Sequence, residues 1–234
     1  MLPWIHLASA VVPDDGGTLR LMQRGHEFSI MAGATELMNS RLSGSEESLA
    51  TLTWAAIVGD KARVDGARVL IGGMGMGFTL RAQLAVSDPR TRITVAELVP
   101  EVLDWARGPM AALHGDSLTD PRVSFHLGDI GPLIRERAAA DPAGTWDAIL
   151  LDVDNGPEGL TRKANDRIYG AAGLAAARQA LRPGGVLAVW SSAPHAAFSR
   201  RLQQAGFAVT ERSVRARVGK GGSRHVIWLA SRPS

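Results

Sequence analysis

Acidic residues follow three apolar segments of the sequence that have the length of buried strands. Glu97 ends RITVAEL, Asp129 follows RVSFHL in the turn LGDI, and Asp152 and Asp154 follow WDAILL. A carboxylate at a strand end can accept both hydroxyls of a ribose, and another can accept from an exocyclic amine such as adenine N6. Because burying an acid costs free energy, Asp152 at a strand tip predicts a chemical role. Taken singly, each acid has a plainer alternative: a solvated charge, a helix N-cap at Asp129, or a loop anchor at Asp152.

A glycine-rich segment follows the apolar run RVLI. It reads Gly72-Gly73-Met74-Gly75-Met76-Gly77, with a glycine at every second position from Gly73. Glycine lets the backbone turn sharply and approach a ligand without a Cβ atom in the way. The spacing is G-x-G-x-G rather than the G-x-G-x-x-G of dinucleotide-binding folds, which disfavours a nucleotide-dependent dehydrogenase. By itself, the segment is also compatible with an ordinary tight turn.

Strands that alternate with helices must position these residues. The strands are predicted at RVLIGG, RITVAEL, RVSFHLGD, WDAILLDVD and GVLAVWSS, and the helices at FTLRAQLAV, VPEVLDWARGPMAAL, GPLIRERAAA, AAGLAAARQAL and AAFSRRLQQAG. This order predicts an α/β fold, a doubly wound and mostly parallel sheet, with FAVTERSV and RHVIWLA as a C-terminal antiparallel hairpin. Since parallel strands end at the same edge of a sheet, the glycine segment and the acids are expected to form one site.

The first part of the chain has a different pattern. Residues 17–40 alternate loosely between apolar and polar side chains, which predicts short antiparallel strands. The run SEESLATLTWAAIVG predicts a helix that Ser45 caps and Gly59 ends. We therefore expect a small N-terminal β-strand region plus helix at 1–59 and a nucleoside-binding α/β domain at 60–234.

Composition narrows the function. The 234 residues include no cysteine, which excludes disulfides and thiolate metal sites, and the six histidines show no metal-ligand spacing. The net charge of +3 is spread along the chain, so a nucleic-acid partner is not indicated. The N-terminus lacks the basic segment of a secretory signal, and no apolar run has the length of a membrane span. These observations favour a cytoplasmic protein without a metal ion.

Several ordered motifs resemble those of the spermidine synthase family of aminopropyltransferases, within the class of S-adenosylmethionine-dependent transferases. VLIGGMGMGFTLR resembles the glycine-rich loop of that family, AELVPEVLDWAR its ribose-binding strand, and WDAILLDVDNGP its catalytic strand. LRPGGVLAVWSS is similar to the strand that follows, and the resemblance covers roughly residues 30 to 195. It implies the same α/β fold, and a homodimer.

The resemblance also implies roles for individual residues. It assigns the donor nucleoside to residues of the loop and the strand ends: Gly73, Gly75, Gly77, Glu97, Leu98, Asp129, Ile130 and Asp152. It assigns catalysis to Asp152 and Asp154, and acceptor contacts to Glu36, Glu47 and Asn155. Glu46 and Glu158 are further acids that could gather at the mouth of the site.

The chain departs from the family in its charge pattern. Met76 stands where the family has an aspartate that faces the amino end of the decarboxylated donor, and Ser45 stands where it has a tyrosine. The catalytic loop is shorter than that of the family. A typical methyltransferase has an acid two residues before the first glycine of the motif, where this chain has Ile71.

These residues predict a transferase that moves an alkyl group from an S-adenosyl sulfonium donor to a nucleophile, and an amine or polyamine-like small molecule is the expected acceptor. The donor is S-adenosylmethionine or its decarboxylated form, and methyl transfer is favoured over aminopropyl transfer. Two alternatives remain open. The chain is a true polyamine aminopropyltransferase, or it is a non-catalytic protein that binds the nucleoside.

Overall fold

A computed structural model describes residues 2–13, 17–59, 65–140, 145–153, 156–157, 166–217 and 222–234. The first element is a four-stranded antiparallel sheet in chain order, formed by β1 (Ile5–Val11), β2 (Thr18–Arg24), β3 (Glu27–Ala32) and β4 (Thr35–Asn39). The last three strands confirm the strands predicted over 17–40. The sequence did not predict β1, because its larger side chains point outward: Ile5 is 58% exposed and Val11 73% exposed.

Helix α1 (Gly44–Val58) joins the small sheet to the rest of the chain. It buries Ala50, Trp54 and Ile57 on one face, at the three- and four-residue spacing of a helix face. The prediction that Ser45 caps this helix is wrong. Ser43 holds the N-cap position and the helix starts two residues earlier than predicted, with the backbone N–H of Gly44 donating to the carbonyl of Ala216 at 3.0 Å. Ser45 therefore lies inside the first turn, where it is fully buried.

The large sheet has seven strands in the order β10-β11-β9-β8-β5-β6-β7. Its strands are β5 (Arg68–Gly72), β6 (Arg92–Glu97), β7 (Val123–Leu127), β8 (Trp146–Leu151), β9 (Leu181–Ser191), β10 (Ala208–Arg215) and β11 (Arg224–Ser231). Strands β5 to β9 are parallel, and β10 and β11 form the antiparallel hairpin at the edge. The predicted fold class is confirmed.

Helices cover both faces of this sheet. They are α2 (Phe78–Val86), α3 (Pro100–Arg107), α4 (Ala111–His114), α5 (Ile130–Ala140), α6 (Asp166–Tyr169), α7 (Ala171–Ala180) and α8 (Ala196–Gln204), with a 3₁₀ turn at Gly115–Leu118. The single helix predicted over VPEVLDWARGPMAAL is wrong. It breaks at Gly108, since the following Pro109 disfavours helical geometry in the residue before it. No helix in the described ranges is long and apolar enough to cross a membrane.

Strand β9 begins four residues before the predicted start at Gly185. The Arg182-Pro183-Gly184 segment enters the sheet because the N–H of Gly184 donates to the carbonyl of Arg232 at 2.7 Å, just beyond β11. Leu181 also pairs with Trp146 of β8 across an irregularity in the register, and these two contacts lengthen β9.

Two apolar clusters lie on the two faces of the large sheet. One joins the inner face of the small sheet (Leu21, Ile30) to α1 and α2, and the other packs α5, α7 and α8 against β8 and β9. The predicted boundary at residue 59 stays a prediction.

Asp147 fixes the amino ends of three neighbouring strands. Its carboxylate is 1% exposed and accepts the backbone N–H of Arg68 in β5 at 2.7 Å and the guanidinium of Arg182 in β9 at 3.0 Å. A buried carboxylate with charge-assisted partners holds them in place, because losing it leaves both donors unsatisfied.

We predict that Asp147→Ala lowers the free energy of unfolding by about 1.5 kcal/mol, since the backbone N–H of Arg68 and the partly exposed guanidinium of Arg182 lose their acceptor. Chemical denaturation measures the change. The control is Asp104→Ala, on the exposed side of α3. Equal unfolding midpoints for the two variants would contradict the role of Asp147.

Candidate active site

The glycine loop after β5 lies directly against the end of β8. Gly73 has a φ of +88°, and a Cβ atom there would lie 2.4 Å from the carbonyl oxygen of Asp152. Gly77, at +74°, begins α2 and leaves no room for a Cβ beside the ring of His114. Both positions therefore require glycine, for conformation and for space.

Glu97 holds the glycine loop in place. Its buried carboxylate accepts the backbone N–H of Met74 at 2.9 Å and that of Val99 at 2.8 Å. Burial raises the pKa of Glu97, and these N–H bonds oppose the rise because they favour the ionised form. A carboxylate has about four lone-pair positions, so acceptor capacity is left for a hydroxyl of a ligand.

A cavity lies beyond the carboxyl ends of β5, β6, β7 and β8, and we call it the Gly-loop cavity. The large domain contributes Gly73, Gly75, Ala96, Glu97, Leu98, Val99, Val102, Gly128, Asp129, Ile130, Asp152 and Val153. The small sheet and its flanks close the cavity with Val12, Leu19, Ala32, Leu37 and Met38. Its walls are mostly apolar, with three carboxylates among them, and this lining suits a flat heterocycle that carries hydroxyl and amine groups.

Asp129 has two roles in this cavity. Its carboxylate accepts the N–H of Gly131 at 2.7 Å and so caps the start of α5. It also lines the Gly-loop cavity. The helix-cap alternative is therefore confirmed, and the second carboxylate oxygen is available to a ligand.

Asp152 stands where the Gly-loop cavity meets a second, smaller cavity. Its Oδ2 accepts the hydroxyl of Thr79 at 2.6 Å. Burial raises the pKa of Asp152 to about 6, and the hydrogen bond from Thr79 acts in the opposite direction. A carboxylate with this pKa can accept a proton at neutral pH.

We call the second cavity the Trp190 cavity. It is lined by Leu37, Met38, Glu46, Met74, Gly75, Met76, Gly77, Phe78, Asp152 and Trp190. Burial and the neighbouring charge of Asp152 raise the pKa of Glu46 to about 7. The Trp190 cavity thus presents two carboxyl groups and an indole among apolar side chains.

The two cavities are acidic and lack basic side chains. Among the residues that line them in the described part of the chain, none is Lys, Arg or His. The described ranges also bring together no group of three or more His, Cys, Asp or Glu that could hold a metal ion.

Comparison with known proteins finds curated relatives of part of the chain. The chain is 34% identical to the polyamine aminopropyltransferase of Mycobacterium tuberculosis over 153 residues, which is 62% of this chain and 28% of that relative. It is 31% identical to the polyamine aminopropyltransferase of Nitrosomonas europaea over 130 residues, 56% of this chain and 37% of the relative. The chain therefore matches well under two thirds of the length of either protein. No family model matches it.

Solved structures show the fold. The spermidine synthase of Thermotoga maritima superposes with a TM-score of 0.72 at 15% identity, over 97% of this chain and 72% of that one. A spermidine synthase in complex with the transition state analogue AdoDATO gives 0.71, also at 15% identity over 97% and 72%. The chain has the spermidine synthase fold. Human methyltransferase-like protein 13 in complex with SAH follows at 0.60 and 17% identity, over 81% and 82% of the two chains.

The spermidine synthase fold brings most of the predicted donor residues together. Gly73, Gly75, Glu97, Leu98, Asp129, Ile130 and Asp152 all line the Gly-loop cavity. Gly77, at the end of the glycine loop, lines the Trp190 cavity instead. Asp154 and Asn155 lie outside the described residues.

The predicted acceptor residues Glu36 and Glu47 line neither of the two cavities. Glu36 accepts two hydrogen bonds from the guanidinium of Arg41, at 2.8 and 2.9 Å, and one from Ser29 at 2.7 Å. Burial alone would raise the pKa of Glu36, but these partners lower it. Glu47 faces a separate cavity that also contains Arg81 and His114. Their assignment as acceptor contacts therefore stays a prediction, since neither side chain lines the Gly-loop cavity or the Trp190 cavity.

Glu46 is the acid of α1 that reaches the site, whereas the sequence indicates it only as one of several acids at the mouth. A signal was present, because Glu46 precedes Leu49 and Ala50 by three and four residues and so shares the buried face of the helix. Glu47 lies 100° further round the helix and points away. The sequence does not single out Trp190 as a site residue either, although its place near the end of an apolar strand is where ligands bind.

We predict that Glu97→Gln weakens the binding of methylthioadenosine by about tenfold. The NH₂ group that replaces one carboxylate oxygen cannot accept the hydrogen bond from the backbone N–H that faces it. Isothermal titration calorimetry measures the affinity. Glu136→Gln, exposed on α5, is the matched control. An unchanged affinity in Glu97→Gln, with thermal stability preserved, would show that Glu97 does not contribute to nucleoside binding.

Proposed function

We propose that this chain transfers an aminopropyl group from decarboxylated S-adenosylmethionine to an amine. The observation that carries the proposal is the charge of the site. Asp152 lies where the two cavities meet, Glu46 lines the Trp190 cavity, and no basic side chain lines either cavity in the described ranges. Cationic donors and acceptors match such a site, whereas an anionic group does not.

The relatives support the same choice. The curated proteins that match the chain are named polyamine aminopropyltransferases. The sequence alone favours methyl transfer and leaves aminopropyl transfer as the alternative, and these relatives support the alternative. The human methyltransferase neighbour shares the fold only.

Charge distinguishes the two donors. Intact S-adenosylmethionine carries an α-carboxylate on its tail, and the decarboxylated form has only an ammonium group there. The tail begins at the sulfonium, which must lie at the junction of donor and acceptor, beside Asp152. Two unit charges 4 Å apart interact by about 4 kcal/mol at an effective dielectric of 20, so a carboxylate is repelled at this place and an ammonium group is attracted.

The donor nucleoside fits the Gly-loop cavity. In this proposal Glu97 accepts the ribose hydroxyls, Asp129 accepts from the amine of the adenine, and Leu98 and Ile130 pack against the ring. The acceptor amine enters the Trp190 cavity. Residues that line both cavities, Asp152 and Gly75 among them, bring the two reacting atoms together.

The chemistry is a displacement at carbon. The nitrogen of the amine attacks the carbon bonded to the sulfonium, the C–N bond forms, and the C–S bond breaks with its electron pair going to sulfur. Because the leaving group is a neutral thioether, no oxyanion hole is needed. An alkyl amine with a pKa near ~10 is protonated at neutral pH, so the protein must remove a proton before attack, and Asp152 is the base. A polyamine acceptor, a homodimer and a cytoplasmic location stay predictions.

We predict that the wild-type protein binds decarboxylated S-adenosylmethionine at least about tenfold more tightly than the intact donor, because only the intact donor brings a carboxylate to the acids. Calorimetry with both donors and methylthioadenosine gives the three affinities. In Glu46→Gln the preference is expected to shrink, and in the control Glu136→Gln to stay.

Tighter binding of the intact donor would favour methyl transfer. Failure to bind any of the three compounds would remove the donor assignment itself.

We predict that Asp152→Asn lowers turnover at least about a hundredfold and leaves the affinity for methylthioadenosine within about threefold, because the amide keeps its contact with Thr79 but cannot accept a proton. The wild-type rate should fall as the pH falls through about 6, where Asp152 becomes protonated. Asp104→Asn, exposed on α3, is the control. Turnover that survives in Asp152→Asn would make Asp152 a structural residue.

A further inference from the structure

A chain of hydrogen bonds leads away from the Trp190 cavity. The hydroxyl of Ser45 donates to Oε2 of Glu46 at 2.5 Å. Oγ of Ser45 also lies 2.9 Å from Nδ1 of His225, and Nε2 of His225 lies 3.2 Å from Oγ of Ser223. The contact between Ser45 and His225 joins the first turn of α1 to strand β11, across 180 residues of sequence.

Exposure is lowest at Ser45 and rises from there through His225 to Ser223. Glu46 lines the cavity and Ser45 is 0% exposed. His225 is part-buried, and Ser223 is exposed at the surface of the hairpin. These hydrogen bonds therefore connect a carboxyl group inside the cavity to solvent through one buried hydroxyl and one imidazole.

His225 is positioned for proton transfer by its neighbours. The indole of Trp190, which lines the same cavity, packs edge-to-face on the imidazole with ring centres 4.9 Å apart and planes at 83°. This contact fixes the plane of the ring. Burial lowers the pKa of His225, so the ring is neutral at pH 7 and has one nitrogen that donates and one that accepts.

The charged groups around Glu46 favour a proton on it. Asp152, at the end of β8, and Glu47, on α1 itself, both raise its pKa. On α2, Arg81 lies with Glu47 in the separate cavity. On β10, Glu211 is bound to Trp228 and Ser199. Strand β9 contributes the neutral indole of Trp190 and β11 contributes His225.

The proposed transfer releases one proton in each turnover. An ammonium acceptor and a sulfonium donor give a substituted ammonium product, a neutral thioether and one proton. Asp152 takes that proton from the amine and passes it to Glu46, which lines the same cavity and has the higher pKa. The proton must leave Glu46 before the next ammonium acceptor can be deprotonated.

We propose that Ser45 and His225 form a proton path that carries the released proton from Glu46 to the surface at Ser223. The proposal rests on the function proposed above, since that reaction supplies the proton. Ser45 and His225 are positioning residues in it, and only Glu46 faces the substrates.

The path balances without another reactant. When Glu46 is protonated, its O–H donates to Ser45, the hydroxyl of Ser45 donates to Nδ1 of His225, and Nε2–H of His225 points to Ser223. One proton moves along each bond, and the proton on Nε2 passes to the surface. After the transfer, Glu46 is ionised, the hydroxyl of Ser45 donates to it, and His225 carries its proton on Nδ1.

The first test measures the tautomer of His225 and needs no turnover. In ¹⁵N NMR of the full chain, we expect the proton of His225 to move from Nδ1 to Nε2 as the pH falls through about 7, where Glu46 takes up a proton. In Ser45→Ala this change should be absent, because the hydroxyl that couples the two groups is gone. The ring of His26, exposed between β2 and β3, is the internal control. A His225 tautomer that does not change in the wild-type protein would overturn the path.

The second test measures rates with decarboxylated S-adenosylmethionine and a diamine. Ser45→Ala and His225→Ala are each expected to lower kcat about tenfold at pH 7 and to leave KM within about twofold, because proton release becomes the slow step. Imidazole added to His225→Ala should restore part of the rate, which a purely structural loss would not allow. His26→Ala is the control and should match the wild type.

The outcomes separate the two proposals. An unchanged kcat in both variants would overturn the path and leave the transfer reaction standing. A tautomer change in a protein that transfers no aminopropyl group to a diamine would overturn the proposed reaction, and with it the source of the proton, while showing that Glu46 and His225 are coupled through Ser45.

Discussion

The glycine loop, β6 and β8 meet at one set of backbone contacts on which the whole site depends. The N–H of Gly73 donates to the carbonyl of Ala96 in β6 at 2.8 Å, and the N–H of Asp152 donates to the carbonyl of Gly72 at 3.1 Å. These bonds bring the strand ends so close that only glycine fits at position 73. The carboxylate of Glu97 then holds the far side of the loop. Because the loop is fixed from both sides, the Gly-loop cavity and the Trp190 cavity share the same wall and meet at Asp152.

Burial sets the acid chemistry of the site. Asp152 and Glu46 lie in apolar surroundings, and their raised pKa values follow from the cost of keeping charge away from water. That cost weakens the folded state as the pH rises, since both acids ionise more readily in the unfolded chain. The same cost makes the pair a ready acceptor of protons and of cationic ligands. The acid that the resemblance places at position 76 is absent, but Met76 shares its cavity with Glu46, so α1 supplies a carboxyl group where the loop does not.

The antiparallel hairpin at the sheet edge has a part in the site as well as in the sheet. Alongside β9, it carries His225 against Trp190 and Ser45, and the residue just after its first strand, Ala216, accepts the first N–H of α1. The start of α1 is therefore fixed by the C-terminal part of the chain. This contact sets the position of Glu46 at the cavity and gives that acid a connection to the surface.

The sequence by itself determined the fold class, the glycine loop and the acids at the strand ends. These features are local, because strand runs and their terminal residues are read in order and parallel strands always end at one edge. The tertiary structure decided how the acids are used. Glu36 is an acid that suits a cationic substrate, but it is bound by Arg41. Asp129 both caps a helix and lines the Gly-loop cavity. Of two adjacent glutamates, the packing of α1 turned Glu46 inward and Glu47 away, and the pairing of Ser45 with His225 joins residues 180 positions apart. Such contacts depend on where distant elements meet in space, which no local spacing in the sequence records.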